Sequence, residues 1–360
     1  MKPRGSAISG IGTYVPEAVV TNDDLALGLD TSDAWIRQRT GIRQRHIADE
    51  LTAASDLGAR AAAAALDDAG VLPSQVRLVV VASISPDHIM PATASRVAHA
   101  VGAVNAGAFD LSAGCTGFVY GLSVASAFVE SGMADHVLLV GAEVISHLLD
   151  WSDRSTAVLF GDAAGAVVVS ATHTPERILG FDLGNDGSGA DLLSIPAGGS
   201  RLPASHETVD ERAHFLKMEG REVYRFATRV VPDSAGRVLA RAGHAVEDVD
   251  LLVPHQANLR IIESAAKTLG ILRERVWTNL ERYGNTSCAS IPLCLQEARS
   301  AGVLNPGNLV LLMGFGAGLT WGSCLLSWAA TDRGIAGGRP SDRGGGKAEM
   351  SESSEGAGLT

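Results

Sequence analysis

Runs of apolar residues alternate along this chain with stretches whose apolar positions recur at helical spacing. The strand-like runs are "VRLVVVASI", "AGAFDLS", "HVLLVGAEV" and "TAVLFGDAAGAVVVS". Between them, "SDLGARAAAAALDDAG" and "TGFVYGLSVASAFVESG" predict helices. Continuous apolar strands separated by helices are typical of sheets that are covered on both faces. The pattern therefore predicts an α/β fold with buried sheets.

The second half of the chain repeats this order of elements. "DVDLLVPHQANLRIIESAAKTLG" predicts strand, loop and helix, and "VWTNLERYGNTSCASIPLCLQEARSAG" predicts strand, Gly-Asn turn and helix. "NLVLLMGFGAG" then predicts a strand and a loop. The repeat indicates an internal duplication. We place one half at residues 1–172 and the other at residues 173–330.

Both ends of the chain differ from these halves. Gly10, Gly12 and Pro16 interrupt the apolar residues near the amino terminus, which predicts a first strand and turn and not a signal peptide. Residues 331–360 are rich in Gly, Ser and charge. Such a segment cannot bury enough apolar surface to offset its ordering entropy, so we predict a disordered tail.

Residues 304–330 carry no charge, and a segment of this length could span a bilayer. Glycines within the segment would weaken a helix, among them Gly314, Gly316, Gly318 and Gly322. The runs "LVLLM" and "GSCLLSW" instead fit two buried strands that are joined by a glycine loop. We therefore predict strands here and no membrane span.

The overall composition narrows the possible classes of function. The chain has 360 residues, 46% of them hydrophobic, and a net charge of −11. The absence of basic blocks argues against a nucleic-acid or anionic-membrane surface. No CxxC or HExxH motif occurs among the four cysteines and ten histidines, which argues against a zinc site. Cysteines of this kind are typical of a reduced, cytoplasmic protein.

Three residues at predicted strand ends could carry chemistry. Cys115 lies where a helix should begin, so the helix dipole would favour its thiolate, although free cysteines are more often small buried hydrophobes. His255 follows a strand and could be only a structural donor. Asn285 lies in a Gly-Asn turn and could be only a capping residue. Because open α/β sheets gather ligands at strand carboxyl ends, the three together predict a catalytic group.

Two further features have more than one interpretation. "GFGAGL" at residues 314–319 and "GIGTYV" at residues 10–15 both lack the last glycine of the dinucleotide-binding GxGxxG pattern. The loop at 314–318 could instead donate a backbone N–H to a reacting carbonyl. Trp35, Arg39 and Arg154 lie in polar segments that form either a solvated face or a site for an adenine ring and phosphates.

Six segments together resemble one family, and the resemblance runs from about residue 5 to residue 328. The segments are "TSDAWIRQRTGIRQRHIA", "DLSAGCTGFVYGL", "DRSTAVLFGDAAGAVVV", "VPHQANLRII", "YGNTSCAS" and "GFGAGLTWGS". The chain resembles β-ketoacyl-acyl-carrier-protein synthase III, a condensing enzyme of the thiolase superfamily that starts fatty-acid and some polyketide chains. The resemblance implies a thiolase-like α/β fold, with two duplicated βαβαβ-type halves in an α-β-α-β-α sandwich.

The resemblance also implies a role for each catalytic residue. Cys115 would take an acyl group from acyl-CoA, and the backbone N–H groups of Cys115 and Ala317 would form the oxyanion hole. His255 and Asn285 would hydrogen-bond the thioester carbonyl of malonyl-acyl-carrier protein as carbon dioxide leaves. Phe315 would pack beside the malonyl group. No metal or cofactor is implied, since acyl-CoA is a substrate.

Contacts to the substrates and to a second subunit are implied as well. CoA would contact Thr31, Trp35, Arg39, Arg154 and Asn258. Arg260 would help to dock the acidic carrier protein. The family forms homodimers in which Met90, a phenylalanine in well-studied members, enters the partner's acyl pocket. Methionine is adaptable, so we expect longer or more branched acyl groups than acetyl. Cys288 stands where alanine is usual and adds a thiol near the site.

Other functions share part of this pattern. A starter-unit ketosynthase of a polyketide or other secondary-metabolite pathway would have the same catalytic residues. An acyltransferase could pass the acyl group from Cys115 to an alcohol or amine, but it would not need His255, Asn285 and Phe315. Elongating synthases use two histidines, and thiolases use a second catalytic cysteine, whereas Cys324 looks structural. A CoA-binding protein without activity would not need Cys115.

Overall fold

The structure is a computed structural model that describes residues 4–329. Its strands are β1 (Gly5–Tyr14), β2 (Val19–Thr21), β3 (Gln44–His46), β4 (Leu78–Ala82), β5 (Gly107–Leu111), β6 (His136–Glu143), β7 (Ala163–Thr172), β8 (Ile178–Asn185), β9 (Leu193–Ser194), β10 (Lys217–Met218), β11 (Leu251–Pro254), β12 (Leu309–Gly316) and β13 (Thr320–Ser327). The predicted tail at 331–360 lies outside the described residues.

The helices complete the order of elements. They are α1 (Asn22–Ala26), α2 (Asp33–Thr40), α3 (Ala54–Ala69), α4 (Thr93–Val101), α5 (Gly117–Glu130), α6 (Arg154–Ala157), α7 (His206–Asp210), α8 (Gly220–Ala242), α9 (Leu259–Leu269), α10 (Leu280–Tyr283) and α11 (Ser290–Ser300). The predicted helices in both halves are therefore confirmed.

Two sheets match each other in the order of their strands and in the directions of those strands. The first sheet has the order β1-β7-β6-β4-β5, and the second has the order β8-β13-β12-β11. In each sheet the first three strands pair antiparallel with one another, and the third and fourth strands pair parallel. Val276 forms a parallel bridge to Leu252 of β11, in the place that β5 takes beside β4. In the second sheet, a single bridge thus takes the place of the fifth strand.

The sheets and helices stack in five layers. Helices α3 and α4 cover the outer face of the first sheet, and α8 and α9 cover the outer face of the second. Helices α5 and α11 lie between the sheets. Phe118 and Leu122 of α5 and Leu295 of α11 join both sheets in one buried apolar cluster. The result is the predicted α-β-α-β-α sandwich of a thiolase-like fold.

Two predicted strands differ from the structure. The first part of "TAVLFGDAAGAVVVS" was expected to be a strand, but it contains the end of α6, and strand β7 begins only at Ala163. The Asp153 side chain caps α6 by accepting from the backbone N–H of Ser155. In "VWTNL", the Gln256 side chain accepts from the backbone N–H groups of Asn279 and Leu280. These donors are therefore not free for a strand ladder, and the chain turns into α10.

The uncharged carboxyl-terminal segment is a hairpin, as predicted. Strands β12 and β13 pair antiparallel in register from Leu309–Ser327 to Gly316–Thr320. Both strands are buried along most of their length. Within residues 4–329, no helix has the length and apolar character that a bilayer crossing requires.

Helix α3 approaches β1 closely because both carry small residues at the contact. A Cβ atom at Gly12 would lie 2.4 Å from the backbone oxygen of Ala61, and one at Gly10 would lie 2.5 Å from that of Ala65. Ala61 and Ala65 are themselves fully buried. The alanine-rich sequence of α3 therefore serves to bring the helix backbone onto the strand.

We predict that Gly12→Ala destabilises the protein by about 1–3 kcal/mol, the usual cost of overpacking a core. The matched control is Gly236→Ala in α8, where the new methyl group meets no atom within 4 Å. That variant should be neutral or more stable by up to about 1 kcal/mol, because alanine is the better helix former. Urea unfolding measures both, and equal stabilities for the two variants would contradict the packing argument.

Candidate active site

One cavity brings together residues that the sequence places far apart. Its lining includes Cys115, His255, Asn258, Asn285 and Phe315. Cys115 follows β5, and His255 and Asn258 follow β11. Asn285 follows the Val276 bridge, and Phe315 lies at the end of β12. The cavity therefore lies at the carboxyl ends of parallel strands from both sheets, where α/β folds bind ligands.

Cys115 lies in a 3-10 turn (Gly114–Thr116) directly before α5, and its side chain is buried. Burial raises the pKa of the Cys115 thiol to about 12; the Ser287 hydroxyl lowers it and the charge of Glu143 raises it further. The prediction that the helix amino terminus favours the thiolate is therefore wrong for this structure. Loss of solvation is the largest cause of the raised pKa, so the thiol stays protonated near neutral pH.

The Cys115 turn packs backbone to backbone against the end of β12. A Cβ atom at Gly114 would lie 2.6 Å from the Ala317 nitrogen, and one at Gly316 would lie 2.5 Å from the Cys115 nitrogen. Gly114 also has φ of +55°, which favours glycine. Among the backbone hydrogen bonds of turns, loops and helix caps within residues 4–329, none uses the N–H of Cys115 or of Ala317. Both groups can therefore donate to a substrate oxygen.

His255 is held as a neutral ring. Its backbone N–H donates to Met313 at 2.7 Å, its Nδ1 lies 2.8 Å from the Ser290 hydroxyl, and its ring meets Phe315 edge-on with centroids 5.5 Å apart. Burial lowers the pKa of His255 to about 3. Its Nε2 is buried and has no partner among the described residues. This nitrogen is the one left to contact a substrate.

Asn285 presents its amide NH₂ group as the free end. Its backbone bonds Leu159 and Gly161 at 2.8 and 3.0 Å, and its Oδ1 accepts from the Ser287 N–H at 2.8 Å. Ser287 has φ of +46°, a strained value for a residue with a side chain. Because the amide oxygen is already engaged, the NH₂ hydrogens are available as neutral donors.

The predicted CoA residues form a second cluster around one indole ring. The guanidinium groups of Arg154 and Arg39 lie 4.7 and 5.7 Å from the centre of the Trp35 ring. Asn258 donates to the Arg39 carbonyl at 3.1 Å and also lines the cavity, which links the two places. The Thr31 hydroxyl oxygen is buried without a partner in the described chain.

The two remaining predicted residues lie at the surface. Arg260 is exposed, and its guanidinium lies 5.8 Å from the ring centre of Tyr224, which lines the cavity. Met90 is 84% exposed, between β4 and α4, and it is not among the residues that line the cavity of its own chain.

Sequence reasoning missed several residues around the site. Glu143 is fully buried at the end of β6 and accepts from the Ser85 hydroxyl at 2.7 Å. An acid at the end of the apolar run "HVLLVGAE" was a signal for it. Ser290, the first residue of α11, was not predicted as a site residue. The apolar lining was not predicted: Leu193, Met218 and Val223 lie outside the six quoted segments, and Leu159 and Phe160 lie within "DRSTAVLFGDAAGAVVV".

No metal site accompanies these residues. Within residues 4–329, no group of three or more His, Cys, Asp or Glu side chains could hold a metal ion. Cys294 and Cys324 are free and buried in the apolar cluster between the sheets. Cys288 is also buried, and its Sγ lies 3.1 Å from the carbonyl of Gly114, the residue before Cys115.

We predict that alkylation of Cys115 by iodoacetamide accelerates about tenfold per pH unit between about pH 7 and about pH 10, because only the thiolate reacts. The raised pKa, about 12, places this whole range on the rising limb. Peptide mass spectrometry would follow Cys115, with N-acetylcysteine alongside as the control. A plateau below about pH 9, near the ordinary cysteine pKa, would contradict the effect of burial.

Comparisons with known proteins match this chain and its fold to one family. Residues 109–187 match the model of 3-oxoacyl-[acyl-carrier-protein] synthase III, and residues 239–328 match the model of its carboxyl-terminal part. The β-ketoacyl-[acyl-carrier-protein] synthase III of Symbiobacterium thermophilum is 51% identical over 328 residues, which is 91% of this chain and 99% of that protein.

Solved structures agree with the sequence matches. The 3-oxoacyl-(acyl carrier protein) synthase III of Pseudomonas aeruginosa PAO1 is 48% identical, with a TM-score of 0.84 over 91% of this chain and 99% of that one. The priming β-ketosynthase of the R1128 polyketide pathway is 38% identical, with a TM-score of 0.84 over 91% and 97%. The chain belongs to the β-ketoacyl-acyl-carrier-protein synthase III family of condensing enzymes.

Proposed function

We propose that the protein condenses an acyl-CoA starter with malonyl-acyl-carrier protein, with loss of carbon dioxide, and so initiates fatty-acid synthesis. One observation carries the proposal: a buried cysteine shares a cavity with a neutral histidine and an asparagine that both have an unused polar end. The reaction uses no cofactor, and acyl-CoA is a substrate.

In the first half-reaction, Cys115 attacks the thioester carbon of acyl-CoA. The acyl group moves to Sγ, the bond to the CoA sulfur breaks, and the Cys115 proton goes to that sulfur, so that CoA leaves as its thiol. The carbonyl oxygen becomes negative in the transition state, where the N–H groups of Cys115 and Ala317 stabilise it. Donors of this kind that are fixed in place contribute several kcal/mol to lowering a barrier.

In the second half-reaction, malonyl-acyl-carrier protein loses carbon dioxide and leaves an enolate. Its thioester oxygen then carries negative charge, which the Nε2 side of His255 and the amide of Asn285 stabilise. Neutral donors suit this step, because a cation at His255 would be costly in a cavity that lowers its pKa to about 3. The enolate carbon attacks the acyl carbonyl carbon on Cys115, the carbon–sulfur bond breaks, and Sγ leaves as a thiolate that regains a proton before the next cycle. The ring of Phe315 excludes water from the malonyl group.

The CoA and carrier protein would approach past the Trp35 cluster. Arg154, Arg39 and Trp35 form a cationic and aromatic surface that suits an adenine ring and phosphates. Arg260 on α9 lies beside α8, which exposes three more cations one turn apart: Arg221, Arg225 and Arg229. On a chain with net charge −11, this local positive face suits an acidic carrier protein.

We further propose a homodimer that forms at the edge of the first sheet. Strand β5 has a paired neighbour on one side only, and exposed strand edges favour association. Large apolar side chains are exposed on and near this edge, with Ile89 at 86% and Met90 at 84%. A second copy would cover them, and Met90 would enter the partner's acyl pocket and admit starters longer or more branched than acetyl.

The likeness to a polyketide priming ketosynthase supports a second candidate, a starter-unit enzyme of a secondary-metabolite pathway. Its catalytic steps would be the same, so the two candidates differ in starter and carrier protein. The four cysteines are free and buried, which suits the reducing cytoplasm in which we propose that either enzyme works.

We predict that acetyl-, isobutyryl- or a longer acyl-CoA acylates Cys115, and that malonyl-acyl-carrier protein then releases carbon dioxide and a β-ketoacyl product. Cys115→Ala should abolish acylation, and His255→Ala should retain acylation but lower carbon dioxide release about a hundredfold. Peptide mass spectrometry identifies the acylated residue and the best starter. Discharge of the acyl group to an alcohol or amine instead would favour an acyltransferase, and absence of acylation by every donor would refute the proposal.

We predict that Arg260→Glu raises the KM for malonyl-acyl-carrier protein about tenfold, because charge reversal weakens an electrostatic docking surface. The KM for acyl-CoA should not change. The matched control is Arg60→Glu on α3, an exposed arginine on the outer helical layer of the other sheet. Steady-state kinetics at low and high salt measure both, and equal effects of the two substitutions would contradict the docking surface.

A further inference from the structure

Ser290 lies behind the catalytic histidine, on the side away from the substrate. It is the first residue of α11 and is almost fully buried. Its Oγ lies 2.8 Å from His255 Nδ1 and also 2.8 Å from the backbone oxygen of Ser287. Among residues 4–329, no other side chain makes a hydrogen bond to His255 Nδ1.

The hydroxyl has one hydrogen for these two acceptor positions. If the hydrogen goes to the Ser287 oxygen, Ser290 can only accept at His255, so Nδ1 must carry the ring proton and Nε2 has none. If the hydrogen goes to Nδ1, the ring proton must be on Nε2. Since the ring is neutral, the orientation of one hydroxyl is coupled to the tautomer of His255.

The proposed function needs the second arrangement, because Nε2 has to donate to the malonyl thioester oxygen. The Ser287 carbonyl opposes this arrangement by competing for the Ser290 hydrogen. The Gln256 backbone N–H supports this arrangement, because the N–H group points at Ser290 Oγ at 3.4 Å. An oxygen that accepts a hydrogen bond is a better donor of its own hydrogen.

We propose that Ser290 is a positioning residue that donates to His255 Nδ1 and thereby keeps the donor hydrogen on Nε2. This inference rests on the proposed condensing function and adds a residue to it. Without the hydroxyl, the Ser287 backbone carbonyl remains as a hydrogen-bond partner of the His255 ring; a carbonyl only accepts and therefore holds the proton on Nδ1. His255 would then present a lone pair to a substrate oxygen, which repels it.

The test is Ser290→Ala, assayed separately for the two half-reactions. Acylation of Cys115 should be unchanged, whereas carbon dioxide release from malonyl-acyl-carrier protein should fall about a hundredfold, the order expected when one oxyanion donor is lost. The KM for malonyl-acyl-carrier protein should change little compared with kcat. Retained acylation also shows that the variant is folded. Ser290→Thr keeps the hydroxyl and should restore carbon dioxide release.

A spectroscopic readout separates tautomer from packing. With ¹⁵N-labelled histidine, the His255 resonances should report protonated Nε2 in the wild-type enzyme and protonated Nδ1 in Ser290→Ala. His255→Gln assigns the signals. Ser323→Ala is the matched control, because that buried hydroxyl has no partner in the described chain and lies in β13, away from the cavity. It should leave both half-reactions and both tautomer signals unchanged.

The outcomes distinguish this inference from the proposed function. If the wild-type enzyme acylates Cys115 but releases no carbon dioxide, the condensing function fails, and the inference fails with it. If the wild-type enzyme releases carbon dioxide and Ser290→Ala does so equally fast, only the inference is overturned. Protonated Nδ1 in the wild-type enzyme during turnover would also overturn it.

Discussion

The turn that carries Cys115 and the end of β12 meet with no side chain between them, and the geometry of the site depends on this contact. Gly114 and Gly316 allow it, because a Cβ atom at either position would overlap a backbone nitrogen. The two nitrogens concerned belong to Ala317 and Cys115, which are the proposed oxyanion donors. A side chain at either glycine would therefore separate the donors, whatever else the site retained.

Burial is the second constraint, and it affects the two ionisable groups in opposite directions. It raises the pKa of Cys115 to about 12 and lowers that of His255 to about 3. Both groups are therefore uncharged near neutral pH. A cavity that disfavours charge on its own residues strengthens every hydrogen bond to charge that develops on a substrate. The fixed donors of the backbone and of Asn285 supply those bonds.

The repeated topology explains how two halves build one site. In the first half, Cys115 follows the last strand of the sheet and precedes a helix through a 3-10 turn. In the second half, Asn285 follows the Val276 bridge, and the 3-10 turn Ser287–Ala289 precedes α11. The two turns pack against each other. Cys288 thus has the place in the second turn that Cys115 has in the first.

The sequence by itself determined most elements and pointed to the candidate catalytic residues, because apolar periodicity and local motifs act over short distances. Helices α3 and α5 and the hairpin of β12 and β13 follow from pattern alone. The strand expected at "VWTNL" does not form, because Gln256, more than twenty residues earlier, takes the backbone donors that a ladder would need.

The tertiary structure decided the protonation states and the supporting contacts. A helix amino terminus before Cys115 predicts a thiolate, but only the packed structure shows that the thiol is buried and that its pKa is raised by loss of solvation. Ser290 is the last residue of the segment "YGNTSCAS", but nothing in that segment shows that its hydroxyl lies 2.8 Å from a histidine 35 positions away. Such effects depend on burial and on the direction of single hydrogen bonds, which no local pattern records.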